Sequence, residues 1–341
     1  MKTIELLEFK TKMLRGKMRI KVVGRSPGIT ERDIDEIYER IESITILSPS
    51  SMNIMHIYYH HLSSNSSVIA RLIPIPSARE MRDLHDMAYV QCLVVSPEAL
   101  ADFGNNPVLL YQTMLSNDAF EAFSTRYMTL KTIESWEKIP PIDVDFIRGL
   151  VVGIGRHELM VFLQSVLSAA STGFAGQTAN LYLLSGTYQF LPMAWRRELT
   201  FTVGIPFINE RCFRAVGIVP SSLSHVIVDF HKQHYPPCID FDEVTEGPDY
   251  PITDGWASFI NQILLDGQYS YIISKLPKVD FPSKENGENY TPTTEEVNRL
   301  GLKLLADYME QRGDVPPADS SFDQKETEDT LQVRKRTRSA S

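Results

Sequence analysis

The stretch YVQCLVV at residues 89–95, which runs directly into SPEAL at residues 96–100, decides the fold class of this chain. An apolar run of this length is too short for a helix, so it predicts a buried central strand. Pro97 needs no backbone N–H at the first position of a helix and Ser96 can cap it, so a short helix follows. A buried strand that leads straight into a helix is typical of a sheet covered by helices.

The residues before this strand predict further strands and one helix. Residues 4–13 and 17–23 alternate apolar and charged side chains and predict a hairpin, while residues 54–62 and 68–75 predict two more strands. Between them, Thr30 is the expected N-cap of a helix with one apolar face. We therefore predict an α+β domain over residues 1–140.

The second half of the chain alternates strands with helices. Residues 148–154 (RGLVVGI) and 179–184 (ANLYLL) predict strands, and residues 158–170 predict a helix. This alternation indicates βαβ units and a largely parallel sheet, so we predict an α/β domain over residues 141–312. Further strands are predicted at residues 199–203, 215–219 and 225–230, and further helices at residues 254–266 and 293–311.

Two composition changes mark the limits of the second domain. Pro140-Pro141 is the expected boundary between the domains, because paired prolines interrupt regular structure. Residues 313–341 are poor in apolar side chains and rich in charged ones, which predicts a disordered polar tail. The predicted fold class is therefore α/β, with an α+β domain, an α/β domain and a tail.

The overall charge narrows the class of partner. The chain has 34 Lys and Arg against 43 Asp and Glu, a formal net charge of −9. That balance argues against a general nucleic-acid binder and against an anionic membrane as the main partner. No apolar run reaches the length of a membrane span and the first residues do not resemble a signal peptide, so we expect a cytoplasmic protein.

The cysteines and the pair His231 and His234 are the residues to consider for a metal site, and neither set predicts one. Cys92, Cys212 and Cys238 lie far apart and form no C-x-x-C pair, which argues against a disulfide scaffold or zinc ribbon. His231 and His234 have metal-like spacing before Cys238, but the prolines between them and Cys238 interrupt any helix, so no metal site is predicted. No G-x-S-x-G elbow occurs, and no cofactor is predicted.

The main alternative hypothesis, that the chain is an enzyme, rests on a turn that contains two glycines. Gly153 and Gly155 follow a predicted strand and precede a predicted helix, as in dinucleotide-binding turns. The third glycine of that motif is absent, and a tight turn needs glycine for its backbone alone. If the chain were a hydrolase or nucleotide-using enzyme, its site would lie at Gly153, Gly155, His157 and Glu158 at the end of the strand.

Three segments resemble a known family. They are GRSPGIT at residues 24–30, the strand at residues 89–100 with FGNNP at residues 103–107, and LPMAWRRELTFT at residues 191–202. Together they resemble the N-terminal region of bacterial GTPase-associated proteins, which carry an F-G-x-x-P turn and an L-P-x-x-x-R-x-x-L-[ST]-F-[ST] segment. The resemblance spans roughly residues 4–204, and Gln91 stands where the family often has His.

The resemblance implies a companion of a dedicated GTPase in a bacterial defence system, without an assigned catalytic site. The order of the two domains is also similar to DENN-type proteins, an analogy of architecture only. We therefore predict a non-enzymatic adaptor that binds a GTPase through polar loops, which a rigid scaffold holds in place. The candidate partner-binding residues are Arg25, Arg79, Arg82, Asp83, Asn105 and Asn106, each of which could instead be a solvated turn residue.

Overall fold

The computed structural model describes most of the two predicted domains. The predicted tail, the Pro140-Pro141 boundary, the predicted strand at 225–230 and the histidines at 231 and 234 lie outside the described residues. The described ranges are 2–14, 17–45, 55–74, 85–120, 127–136, 143–175, 181–204, 213–218, 238–241, 250–279, 281 and 291–312.

The described strands form one mixed sheet of ten strands in the order β10-β7-β9-β8-β3-β4-β5-β1-β2-β6. The strands are β1 (Ile4–Leu14), β2 (Lys17–Arg25), β3 (His56–His61), β4 (Ser67–Pro74), β5 (His85–Val95), β6 (Met128–Thr129), β7 (Thr172–Ala175), β8 (Phe201–Val203), β9 (Ala215–Gly217) and β10 (Cys238–Asp240). The mixed sheet with helices confirms the α/β class.

Helices cover the sheet and connect its strands. They are α1 (Glu31–Thr45), α2 (Pro97–Ala101), α3 (Pro107–Ser116), α4 (Val144–Ile154), α5 (Arg156–Ser168), α6 (Leu181–Phe190), α7 (Gly255–Leu265), α8 (Tyr269–Ser274) and α9 (Thr294–Arg312). Within the described residues no single helix is long and apolar enough to cross a membrane, and only the pair α4 and α5, bent by 96°, has the length and composition together.

The sheet runs without a break through both predicted domains. Strands β1 to β5 pair in antiparallel fashion, whereas β7 to β10 pair in parallel, as predicted for the second domain. Strand β3 of the first half pairs with β8 of the second, with Ile57 opposite Val203 and Tyr59 opposite Phe201. The residues on either side of the Pro140-Pro141 boundary therefore contribute to the same sheet.

Local signals at the start of two helices are confirmed. The backbone N–H of Asp33 donates to Thr30 Oγ1 at 3.1 Å, while the Asp33 carboxylate accepts from the Thr30 N–H at 3.0 Å, so the pair caps α1 reciprocally. Ser96 Oγ accepts from the Ala99 N–H at 3.3 Å, with Pro97 at the first position of α2. These bonds satisfy backbone donors that a helix leaves unpaired at its N-terminus.

Two strand predictions are wrong. Residues 148–154 belong to α4 and residues 181–184 open α6. In α4 the buried side chains are Ile147 and Leu150, three positions apart, while Val152 is 80% exposed, a period that only a helix presents. A short apolar run does not distinguish a buried helix from a strand, which is why the sequence pattern failed here.

The two faces of the sheet bury different halves of the core. Along β5, Leu93 and Val95 pack into the larger hydrophobic cluster, formed with helices α3 to α7. The alternate residues Val90, Cys92 and Val94 pack on the other face beneath α1. Burial raises the pKa of the Cys92 thiol, which therefore behaves as a small apolar side chain.

Candidate functional site

The second and third resemblance segments, far apart in the chain, meet in the structure. The buried guanidinium of Arg196 donates from Nη1 to the Gly104 carbonyl at 3.0 Å and from Nε to the Leu191 carbonyl at 3.1 Å. Asn105 Nδ2 donates to the Met193 carbonyl at 3.3 Å. Burial lowers the pKa of Arg196 to about 10, so it stays charged at neutral pH. Arg196 therefore joins the two segments as a charged clamp on backbone carbonyls.

Asn106 caps a helix at the place where the two segments meet. Its Oδ1 accepts from the N–H groups of Val108 and Leu109, each at 3.1 Å, and caps α3. Its Nδ2 lies 3.5 Å from the carbonyl of Ser185, a buried residue within α6. The side chains of Asn105 and Asn106, predicted to face a partner, thus hold the scaffold together.

A cleft of about 650 Å³, here called the motif cleft, opens where the two segments meet. Its wall combines the end of β3, the turn after it, the start of α2 and the segment that follows α6. The polar side chains that line it are His61, Asn65, Glu98, Asn105, Arg197, Glu198 and Thr291, whose hydroxyl donates to Glu198 Oε1 at 3.1 Å. The motif cleft therefore brings together parts of both predicted domains.

His61 occupies one wall of the motif cleft as a neutral imidazole. Its Nε2 lies 2.5 Å from the Arg197 carbonyl, which can only accept, so Nε2 carries the proton. Its Nδ1 lies 3.1 Å from Ser67 Oγ and accepts from that hydroxyl. Burial lowers the pKa of His61, partly offset by the Arg197 carbonyl and the Glu198 charge. His61 consequently orients the Arg197 backbone rather than carrying charge at pH 7.

A second cleft of about 570 Å³, here called the strand cleft, lies beside β1. Leu6, Met114 and Trp136 give it apolar walls, and Lys131 lines it with a positive charge. Glu8, a side chain only 8% exposed, lies at its floor. A carboxylate buried this far requires polar partners.

Those partners come from the two neighbouring strands. Gln91 Nε2 donates to Glu8 Oε1 at 2.5 Å, and Arg71 Nε and Nη2 donate to Gln91 Oε1 at 2.8 and 2.5 Å. The register accounts for this polar bridge, because Glu8 pairs with Gln91 and Gln91 pairs with Arg71. The Gln91 side chain therefore acts as a donor to Glu8 and as an acceptor from Arg71 at the same time.

Of the six predicted partner-binding residues, the structure describes Arg25, Asn105 and Asn106. Arg25 ends β2 and forms an ion pair with Glu31, which, with the Tyr127 hydroxyl, raises its pKa. Asn105 and Asn106 follow β5 at the same end of the sheet. Residues 79, 82 and 83 lie outside the described residues. The flanking strands, β4 and β5, end and begin at the opposite end of the sheet.

The alternative ligand site was predicted at the end of a strand, and the structure has no strand there. Gly153 is exposed within α4, and Gly155, at φ +108°, separates α4 from α5 instead of following a strand. A Cβ at Gly155 would meet only the movable end of the Glu158 side chain, so this glycine is needed for its backbone angle rather than for space. His157 is buried in α5. These four residues surround a bend between helices, with no strand end to hold a phosphate.

Sequence reasoning did not identify the polar bridge or the Arg196 clamp. An acid at an inward position of β1 was a signal for the bridge, since Glu8 follows the apolar Ile4 and Leu6 on that face. Within the described residues, no three His, Cys, Asp or Glu side chains gather as a metal site. No protein-family model matches the chain, and no curated protein sequence matches it.

Proposed function

We propose that this chain is a non-catalytic adaptor that binds a partner GTPase of a bacterial defence system through the motif cleft. One observation carries the proposal: the two segments that most resemble GTPase-associated proteins converge on this cleft from distant parts of the chain. Their buried polar groups are committed to internal bonds, whereas Glu98, Arg197 and Glu198 line the opening. Loops held on such a scaffold are well suited to recognise a partner.

The charges of the motif cleft fit a protein partner. Glu98 and Glu198 are acidic, Arg197 is basic, and Pro97 and Ala194 offer small apolar contacts between them. Charges of both signs around an apolar floor give an interface its specificity and register more than its raw affinity. A regulatory contact that forms with only one nucleotide state of a GTPase needs that kind of selectivity.

The first test is affinity capture of the tagged full chain from the native cell, once with GDP and once with a non-hydrolysable GTP analogue. We expect mass spectrometry to recover a GTPase with a yield that depends on the nucleotide. Recovery of no GTPase in either state would contradict the proposal. The recovered GTPase is then purified and its dissociation constant measured directly.

A charge-reversal variant tests whether the motif cleft is the surface that contacts the GTPase. Arg197→Glu leaves the backbone carbonyl that His61 binds in place, so the fold should persist while the surface charge inverts. We expect the dissociation constant for the GTPase to rise at least about tenfold, because like charges across an interface repel. Arg299→Glu, the same change at an exposed position on α9, is the matched control and should leave binding unchanged. Equal binding by both variants would exclude the motif cleft.

A thermal-unfolding screen with nucleotides and divalent metals separates the adaptor from an enzyme. A ligand at about 100 times its dissociation constant adds about 2.7 kcal/mol to the free energy of unfolding. We expect no such stabilisation by any nucleotide. A clear upward shift of Tm with one nucleotide would favour a nucleotide-using protein over the adaptor.

A further inference from the structure

The β1–β2 hairpin is strongly basic in a chain whose net charge is −9. Between residues 10 and 25 the sequence has seven Lys and Arg and no Asp or Glu. The acidic residues that set the overall charge therefore lie elsewhere, and the hairpin is a local reversal of sign. The seven cations are Lys10, Lys12, Arg15, Lys17, Arg19, Lys21 and Arg25.

The strand register sets these cations directly against one another. Lys10 pairs with Lys21, and Lys12 pairs with Arg19. Like charges at directly opposite positions destabilise a sheet, so the fold itself gains nothing from this arrangement. A repulsion of this kind is relieved when a polyanion covers the surface.

The described cations are accessible to such a ligand. Arg19 and Lys21 are exposed, and Lys10 is half-buried with its Nζ 4.6 Å from the centre of the Tyr89 ring. Among the described residues none of these three cations forms an ion pair. The surface therefore combines cations that form no ion pair within the described part of the chain with an aromatic ring, the combination used by proteins that bind single-stranded nucleic acid.

Edge protection alone does not account for the cations. Lysines on an edge strand prevent edge-to-edge association. Most of β2 is such an edge, because β6 pairs only with its residues Gly24 and Arg25. That reason applies to Arg19 and Lys21 on β2. It does not apply to Lys10 on β1, a strand paired on one side with β2 and on the other with β5.

The shape of this end of the sheet favours a single strand over a duplex. A free two-stranded ribbon can enter the major groove of DNA. Here β1 is flanked by β5 as far as the pair Met13 and His85, so the hairpin does not stand free. Alternate residues of a strand lie about 6.8 Å apart, and a flexible phosphate chain can follow cations at that spacing across a flat surface.

We propose that the basic face formed by Lys10, Arg19 and Lys21 binds the phosphate backbone of single-stranded nucleic acid. The ligand class is a polyphosphate strand with unpaired bases, and DNA and RNA share that chemistry. This surface lies at the end of the sheet away from Arg25, Asn105 and the motif cleft, so it is independent of the GTPase contact.

Fluorescence anisotropy with the full chain tests this directly. The probes are labelled 20-nucleotide dT and U oligomers, titrated at several salt concentrations between 50 and 200 mM. With about three phosphates neutralised, log K should fall against log[salt] with a slope of about −2, a loss of about 20-fold over that range. Stronger binding of one probe identifies DNA or RNA as the source. No binding of either at 50 mM salt would overturn the proposal.

A charge-matched pair of variants localises the binding. In Lys10→Gln, Arg19→Gln, Lys21→Gln the salt slope should flatten by about 2, because three phosphate contacts are removed. The control changes three exposed lysines elsewhere, Lys275→Gln, Lys278→Gln and Lys303→Gln, with the same loss of charge. Equal slopes in the two variants, with Tm unchanged, would overturn the proposal. So would equal binding of the wild type to polyglutamate or to phosphatidylserine vesicles.

Discussion

The two halves of strand β1 and of the strands beside it use polar side chains in opposite ways: Glu8 lies in the half toward the clefts, and Lys10, two residues further on, lies in the half toward the hairpin turn. In the half toward the clefts, Glu8, Gln91 and Arg71 bond to one another and Asn106 caps a helix. In the half toward the hairpin turn, Lys10 faces Lys21 across the hairpin without an acidic partner among the described residues. Polar groups in the first half stabilise the fold, whereas those in the second remain available to a ligand. Changes in the two halves should therefore affect stability with opposite sign.

The largest stability effect is expected from breaking the polar bridge. Gln91→Leu leaves the buried Glu8 and the half-buried Arg71 without the amide that joins them, and a buried group that loses its partner costs about 1–3 kcal/mol. We expect the free energy of unfolding in urea to fall by about 3 kcal/mol. Gln91→His, which keeps one donor and one acceptor, should lose clearly less. Equal losses in both variants would show that shape and not polarity matters at this position.

A pH titration examines His60, a buried side chain with one ring nitrogen that has no hydrogen-bond partner among the described residues. His60 on β3 stacks on Tyr58 with 5.4 Å between ring centres, and its Nδ1 has no hydrogen-bond partner among the described residues. Burial is the main cause that lowers its pKa to about 3, and the neighbouring Arg40 and His61 act in the same direction. The unfolded chain therefore binds this proton first, and stability present above pH 6.5 is lost as the pH falls toward 3.

Between pH 6.5 and 5 this one group should reduce the free energy of unfolding by about 2 kcal/mol. His60→Phe keeps an aromatic ring in contact with Tyr58 and removes the titration, so the slope should flatten by about 1.4 kcal/mol per pH unit. Urea unfolding at several pH values measures both slopes. Parallel slopes for wild type and variant would contradict the assignment.

A smaller loss is expected at the cap of α3. Asn106→Ala removes the acceptor for the N–H groups of Val108 and Leu109, which typically costs about 1–2 kcal/mol. Asn106→Asp keeps the acceptor and should recover part of that loss. Thermal unfolding of the two variants distinguishes a capping role from a role confined to partner binding, which would leave Tm unchanged in both.

In the half toward the hairpin turn, reversing the charge of one residue should increase the free energy of unfolding. Lys21→Glu places an acid opposite Lys10, and an opposite-charge pair across two strands contributes about 0.2–1 kcal/mol. We expect a slightly higher free energy of unfolding together with weaker nucleic-acid binding. Lys275→Glu, exposed and distant from the hairpin, should change neither quantity. A loss of stability in Lys21→Glu would contradict the contrast between the two halves.

Local signals in the sequence predicted the first half of the fold well. The hairpin alternates at residues 4–13 and 17–23, and Thr30 with Asp33 marks the start of α1. The pattern failed for residues 148–154 because the run of apolar residues fits a strand as well as a helix. The signal that distinguishes the two is Asp143, whose Oδ1 accepts from the Phe146 N–H at 2.8 Å and caps α4.

The candidate sites were harder to predict than the elements that hold them. Glu8 and Gln91 are 83 positions apart, and only the register of β1 against β5 brings them together. The same holds for Arg196 and Gly104, which are 92 positions apart. A net charge of −9 likewise conceals the basic face, because a sum over the chain discards the position of each charge.

The pairing of β3 with β8 also has a consequence during protein synthesis. Residues 56–61 leave the ribosome long before their partners at residues 201–203 exist. Until then β3 is the outer strand of a nascent sheet whose other side is already paired with β4. An open, aromatic-rich strand is prone to pair with another chain, so the nascent N-terminal half depends on timely completion of the second half or on a chaperone.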